Sequence, residues 1–134
     1  MELALSITIL VFLLAGAVEF GIAFFQFVQL RDAAQEGALY GSLNPPADAS
    51  DSAQETLIAD RAKASSSSPI DLVNDPNINV SVNVTDAKYC EGGSLEVTIT
   101  YPHQIFMPFI PEFIGSNTIP LTATVTDTIL TPIC

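Results

Sequence analysis

The feature that most constrains this chain is an apolar run interrupted once. From Leu3 to Leu30 the only charged residue is Glu19, and no proline breaks the run. Leu, Ile, Val, Phe and Ala dominate it, and the spacing predicts one helix from about Glu2 to about Gly41, roughly 60 Å long at ~1.5 Å per residue. Its apolar part, residues 1–30, is long enough to cross a hydrocarbon core of ~30 Å. A charge at bilayer mid-depth costs from ~2.5 to more than ~10 kcal/mol, so Glu19 needs a partner or a task. The chain offers no Lys or Arg before Arg31. If the helix ends in a bundle of like helices, a hydrogen bond to a neighbour's polar group, or a protonated carboxyl, is expected rather than a salt bridge.

Arg31 and Asp32 mark where the helix leaves the apolar layer, and "RDAAQEGALYGS" continues it with Ala34, Ala38 and Leu39 expected on its buried side. Asn44-Pro45-Pro46 ends it, because proline cannot continue the hydrogen-bond ladder. The chain opens on Met1-Glu2 with no Lys or Arg ahead of the apolar run, unlike a secretory signal. The expectation is a processed terminus from which a basic leader has been removed, so that Met1 carries a free amine and Glu2 a carboxylate at the positive end of the helix dipole. In a bundle of parallel helices, that amine and a neighbour's carboxylate form a natural pair away from water.

Charge narrows the function classes. Fifteen acids against four basic residues leave a net charge of −11, with no basic cluster. Nucleic acid is disfavoured as a partner, since phosphates require Lys or Arg, and so is attraction to an anionic lipid surface.

Residues 43–134 read as an α+β head. Ser52–Ala64 predicts a short helix capped by Asp51 or Ser50, with Ala53, Leu57, Ile58 and Ala62 as its buried side. Ser65–Ser68 is a linker. The apolar period then becomes two: Ile78, Val80, Val82, Val84; then Leu95, Val97, Ile99, Tyr101; then Leu121, Ala123, Val125. These are strands near 77–85, 94–101 and 120–127, each with one buried and one wet face. A sheet buried on one face needs a cover, which the soluble half of the long helix and the short helix supply. The Asn79-Val80-Ser81 and Asn83-Val84-Thr85 triplets match a glycosylation sequon, but ordinary strand polarity accounts for them.

Between the second and third strands lies "PHQIFMPFIPEFIGSN". Ile105, Phe106, Phe109, Ile110 and Phe113 make it too apolar for an ordinary loop. It either folds under the head as core or meets a membrane or a neighbouring subunit. Pro102, Pro108 and Pro111 argue against a regular strand or helix through it. Two thiols with His103 as the only further ligand do not form a zinc site. A Cys90–Cys134 disulfide is expected if the head is outside the cytoplasm, stabilising by roughly 4 kcal/mol in the chain-entropy picture. No catalytic constellation, phosphate loop or cofactor motif stands out, and the reading is a non-enzyme without cofactors.

The stretch "ELALSITILVFLLAGAVEFGIAFFQFVQLRDAAQEGALYGS" resembles the N-terminal module of TadE-like proteins, the pseudopilins of tight-adherence pilus systems. Glu2, the Glu19-Phe20-Gly21 step, Phe24-Phe25 and the Ala33-Ala34-Gln35-Glu36-Gly37-Ala38 tail carry the likeness. "LEVTITYPHQIFMPFIP" and "IPLTATVT" extend it into the head. Gln35 stands where the family has Arg, and the terminal Cys is outside the family pattern. The resemblance implies the type IV pilin plan: a helix held in the inner membrane before assembly, then a homo-oligomeric helical filament. Prepilin peptidase and a pilus assembly machinery are its implied partners. Met1, Glu2, Glu19, Phe20, Gly21, Phe24 and Phe25 are the implied assembly residues, with Glu2 at the position that pairs with a neighbour's amine. The expected function is a pilin-like subunit of an extracellular adhesive filament. One alternative is a membrane-anchored pseudopilin whose head is extracytoplasmic and which serves as a minor or assembly component. Another is an anchored binding module with a pocket lined by the 102–115 aromatics.

Overall fold

A computed structural model describes residues 2–107 and 110–134, leaving the side chains of Glu2 and Phe113 aside. Met1 and Phe109, both singled out above, lie outside the described residues. The element order is α1 (Glu2–Leu43), α2 (Ser52–Ala64), β1 (Asn79–Val84), β2 (Ser94–Gln104), α3 (Ile110–Ile114) and β3 (Thr118–Thr128). The chain is α+β on a pilin-like plan: one long helix followed by a three-stranded antiparallel meander in the order β1-β2-β3.

The two halves of α1 live in different surroundings. Residues 3–14 are exposed all round. From Leu30 onward the helix buries a stripe of Leu30, Ala33, Ala34, Gly37, Ala38, Gly41 and Ser42 against the sheet and α2. These positions recur at three and four, one face of a 3.6-residue helix. Leu39, expected on that face, is 53% exposed. The stripe continues instead through the glycines, because only small residues let the backbone come this close. A Cβ on Gly37 would stand 2.8 Å from the Cβ of Ala62 and 3.4 Å from Val97 Cγ1.

Across the stripe, β2 presents Leu95, Val97 and Ile99, each fully buried. Gly41 lies over Leu95 and Gly37 over Val97, so β2 runs antiparallel to α1. The wet face of the sheet is polar, and Thr98–Thr124 and Thr100–Thr122 hydroxyl pairs at 2.9 and 3.2 Å bridge β2 and β3. α2 is capped by Asp51, whose carboxylate accepts the Gln54 N–H. It packs on α1 through Ile58 and Ala62. Ala53 and Leu57 are exposed, contrary to the sequence reading, because the seam between the two helices is a single i, i+4 row. The Arg61–Glu36 pair beside it is exposed and contributes little.

The proline-rich stretch also folds differently from expectation. β2 and β3 run on through Pro102 and Pro120, which face each other in the ladder. Ile105 donates to Asn117, so in the alternating pattern the 102/120 pair is a non-hydrogen-bonded one, and each missing N–H points out of the hairpin. β1 pairs no further along β2 than Thr100, so no ladder bond is lost at Pro102. A short helix, α3, follows with Pro111 in its first turn, where no N–H is required.

The C-terminal segment closes the far end of α1. Leu130 N–H donates to Ser42 O and Thr131 Oγ1 to Leu43 O, satisfying carbonyls that the helix end leaves unpaired. Glu91 and Gly92 donate to Pro132 and Ile129, and Ile129 donates back to Gly93. Gly93 sits where a Cβ would collide with the Lys88 carbonyl. The Cys90–Cys134 disulfide, with its Cα atoms 5.4 Å apart, joins these two segments covalently.

Two outcomes are expected for the full chain in detergent. Gly37→Leu overpacks the α1–α2–β2 junction and lowers unfolding stability by about 1–3 kcal/mol, read by thermal melts followed by circular dichroism. Cys134→Ser, which opens the loop of 44-residue separation, lowers it by about 4 kcal/mol on the chain-entropy estimate, read by denaturant titration with and without reductant.

Candidate functional site

The site is built where the exposed and the buried halves of α1 meet. Glu19 and Gln26 are seven residues apart and share one helix face, the same face that Ala33 and Gly37 present to the sheet. On β2 the buried alternation Leu95, Val97, Ile99, Tyr101 reaches His103 one step further on. The strand therefore delivers an imidazole onto the helix at Glu19 and Gln26.

His103 is 2% exposed and the Glu19 side chain 13%. The ring's Nε2 lies 3.0 Å from Glu19 Oε1 and its Nδ1 2.6 Å from Gln26 Oε1. The Phe106 backbone N–H donates to both Glu19 oxygens, at 3.1 and 3.2 Å. Because both ring nitrogens face oxygens, three proton arrangements satisfy the geometry. An imidazolium can pair with the carboxylate, a protonated Glu19 can donate to a neutral ring, or a turned Gln26 amide can donate to Nδ1 while Nε2–H donates to Glu19. In each of them the carboxyl group is bonded on both oxygens. Tyr101, one step along the same face, has its phenol raised above the ordinary value by burial and then by the Asp75 carboxylate.

The sequence reading looked for the polar partner of Glu19 in a neighbouring subunit and did not foresee partners within the chain. They lie 84 and 87 residues downstream. The sequence reading weighed His103 only as a metal ligand and missed it. Two signals pointed to it: the period-two pattern of β2 carried past Tyr101, and the seven-residue spacing of Glu19 and Gln26. Gln29, three residues further on and 7% exposed, was missed as well. Its amide donates to Ile70 O at 2.7 Å and accepts from Ile70 N–H at 2.9 Å, fixing the 66–70 segment on the helix.

Of the other residues expected in assembly, Phe20, Gly21, Phe24 and Phe25 are exposed. Phe20 and Phe24 stack on each other with centroids 6.2 Å apart, and Phe20, Phe24 and Phe25 are all more than half exposed. Nothing lies within 4 Å of a Cβ on Gly21. The 105–114 segment divides. Ile105, Met107 and Ile110 are half-buried and line a groove of about 240 Å³ with Gly16, Ala23 and Ile119. Phe106 is 69% and Ile114 50% exposed.

A long apolar helix that is bare at one end, clamped at the other by a small β-head, defines a pilin-like architecture. Residues 1–39 match the family model described as TadE-like protein, in agreement with the resemblance drawn from the sequence. The match covers α1 as far as Leu39, Glu19 included, and ends short of the head. Neither the curated proteins nor the solved structures contain a match to the chain.

A double-mutant cycle tests the Glu19–His103 bond. Glu19→Gln and His103→Phe should each destabilise the detergent-solubilised chain, by about 1–3 kcal/mol for the buried polar group left unpaired. Their effects should be non-additive by at least about 0.5–1 kcal/mol, as for residues in one hydrogen-bonded network. Additive effects in thermal melts would count against the bond.

Proposed function

We propose that this chain is a structural pilin-like subunit that polymerises through residues 1–30 into an extracellular filament for adhesion or surface attachment. The observation that carries the reading is the bare half of α1. The most apolar stretch of the helix has none of its residues buried inside the chain. Such a surface is stable only against lipid or against other apolar helices, and a subunit passing from the inner membrane to a filament meets both in turn. The TadE-like match over this same helix supports a pilus-associated component. On this reading Glu2 pairs with the terminal amine of a neighbour. Phe20, Gly21, Phe24 and Phe25 pack between subunits, and a prepilin peptidase and pilus assembly machinery act on the chain beforehand.

A second reading has one observation in its favour. Glu19 is satisfied within its own chain, so no helix bundle is needed to neutralise it. The chain would then be a membrane-anchored TadE-like pseudopilin, a minor or assembly component with an extracytoplasmic head.

Negative-stain electron microscopy of material sheared from cells, with mass spectrometry of its N-terminal residue, separates the two. The filament reading expects thin filaments composed of this chain. Retention of all of it in the membrane fraction, with no filament containing it, would replace that reading by the second.

A further inference from the structure

The uncharged stretch between Glu2 and Glu19, Leu3–Val18, rises only about 24 Å at ~1.5 Å per residue. A hydrocarbon core of ~30 Å takes about 20 residues, which brings its far boundary to about Ile22. Tilting the helix raises the number of residues required. The β2–β3 hairpin tip is held at the level of Glu19 by the Phe106 N–H bond. In the membrane-held state the tip therefore lies at or just inside the edge of the hydrocarbon, not above it.

The tip is built for that position. Ile105, Phe106, Met107, Ile110 and Ile114 cluster there beside α1; Phe20, which lines the same groove, and Phe24 and Phe25 stand exposed on the helix within two turns of Glu19. In α3, Ile110 and Ile114 share a face by their spacing of four, while the exposed Glu112 stands opposite them, on the side available to headgroups. Lipid also demands that backbone donors be satisfied internally. Phe106 N–H is held by Glu19, Ile105 N–H by Asn117 O and Gly115 N–H by Pro111 O. No Lys or Arg lies between Pro102 and Asn117, so the attraction is hydrophobic and does not depend on anionic lipid.

We propose that the β2–β3 tip, with Phe106 and Ile114 as its exposed anchors, is a lipid-binding surface. It dips into the bilayer interface beside α1 while the subunit is membrane-held, and it takes acyl chains of uncharged phospholipid. The proposal rests on the membrane-held state of the preceding reading, and its occupant is lipid, not a second copy of the chain.

The chain contains no tryptophan, so single-tryptophan variants report their own surroundings. Phe106→Trp and Ile114→Trp probe the tip, Leu10→Trp the bare helix, and Val73→Trp an exposed position on the head. Each full-length variant is reconstituted in phosphatidylcholine vesicles, with and without bromine on the acyl chains near the glycerol. Its emission is then quenched with acrylamide. Positions 106 and 114 should emit to the blue of position 73, lose most of their emission to brominated lipid and resist acrylamide. If they behave like position 73 while position 10 is quenched by brominated lipid, the tip stands clear of the bilayer and the proposal fails with the spanning helix intact. If position 10 is also untouched by brominated lipid, the membrane-held state itself is wrong. Protection of 106 and 114 from both quenchers, lost as protein is diluted in lipid, would assign the tip to a second copy and overturn the lipid assignment.

Discussion

The close approach of α1 to β2 is the constraint on which the rest of the structure depends. Ala33, Ala34, Gly37, Ala38 and Gly41 carry almost no side chain, so the helix backbone can lie directly on Leu95, Val97 and Ile99. That contact fixes the register between two elements with different rises. From Gly41 down to Glu19 the helix falls about 33 Å at ~1.5 Å per residue, and about ten strand residues at ~3.3 Å cover the same distance. Counted from Leu95, the partner of Gly41, ten residues end at Ile105, beside the Phe106 N–H that binds Glu19. The polar site at the Glu19 end of the head is thus set by small residues at its other end.

The charge that sits oddly in the apolar run takes its meaning from this register. Glu19 closes the bond between the bare apolar half of α1 and the β-head. His103 and Gln26 extend that bond into the core, and Gln29 repeats the device further along the helix with the backbone of Ile70. A stripe of Glu, Gln and Gln along an otherwise apolar helix is therefore the polar seam between stalk and head.

Much of this was legible in the sequence. The long helix, the α+β head and the alternating strands follow from hydrophobic periods of 3.6 and two, which are local properties. The disulfide followed from the poverty of other roles for two thiols. The proline-rich stretch was harder, because a proline is tolerated wherever its missing N–H faces no partner, and that depends on β1 stopping at Asn79 opposite Thr100. Leu57 and Leu39 were assigned to buried faces because they are apolar, yet a narrow helix seam leaves such residues outside. The partner of Glu19 was illegible locally. It lies 84 residues away and becomes a neighbour only through the helix–strand register, which the sequence encodes jointly in the small-residue stripe and in the alternation of β2.

The stitched C-terminal segment has a mechanical consequence. Cys90–Cys134 makes residues 90–134 a covalent ring that contains both long strands, and the ring is hydrogen-bonded to the end of α1 at Ser42 and Leu43. A tensile load applied between the helix and any point on the ring is shared by its two arms, so the shorter arm sets how far the polypeptide can be drawn out. For a load at Thr118 that arm runs back through Cys134, and the hairpin cannot be unzipped to its full contour length. The ring, not the whole head, resists extension under tension, and the slack of the chain lies in the segments between α1 and Cys90.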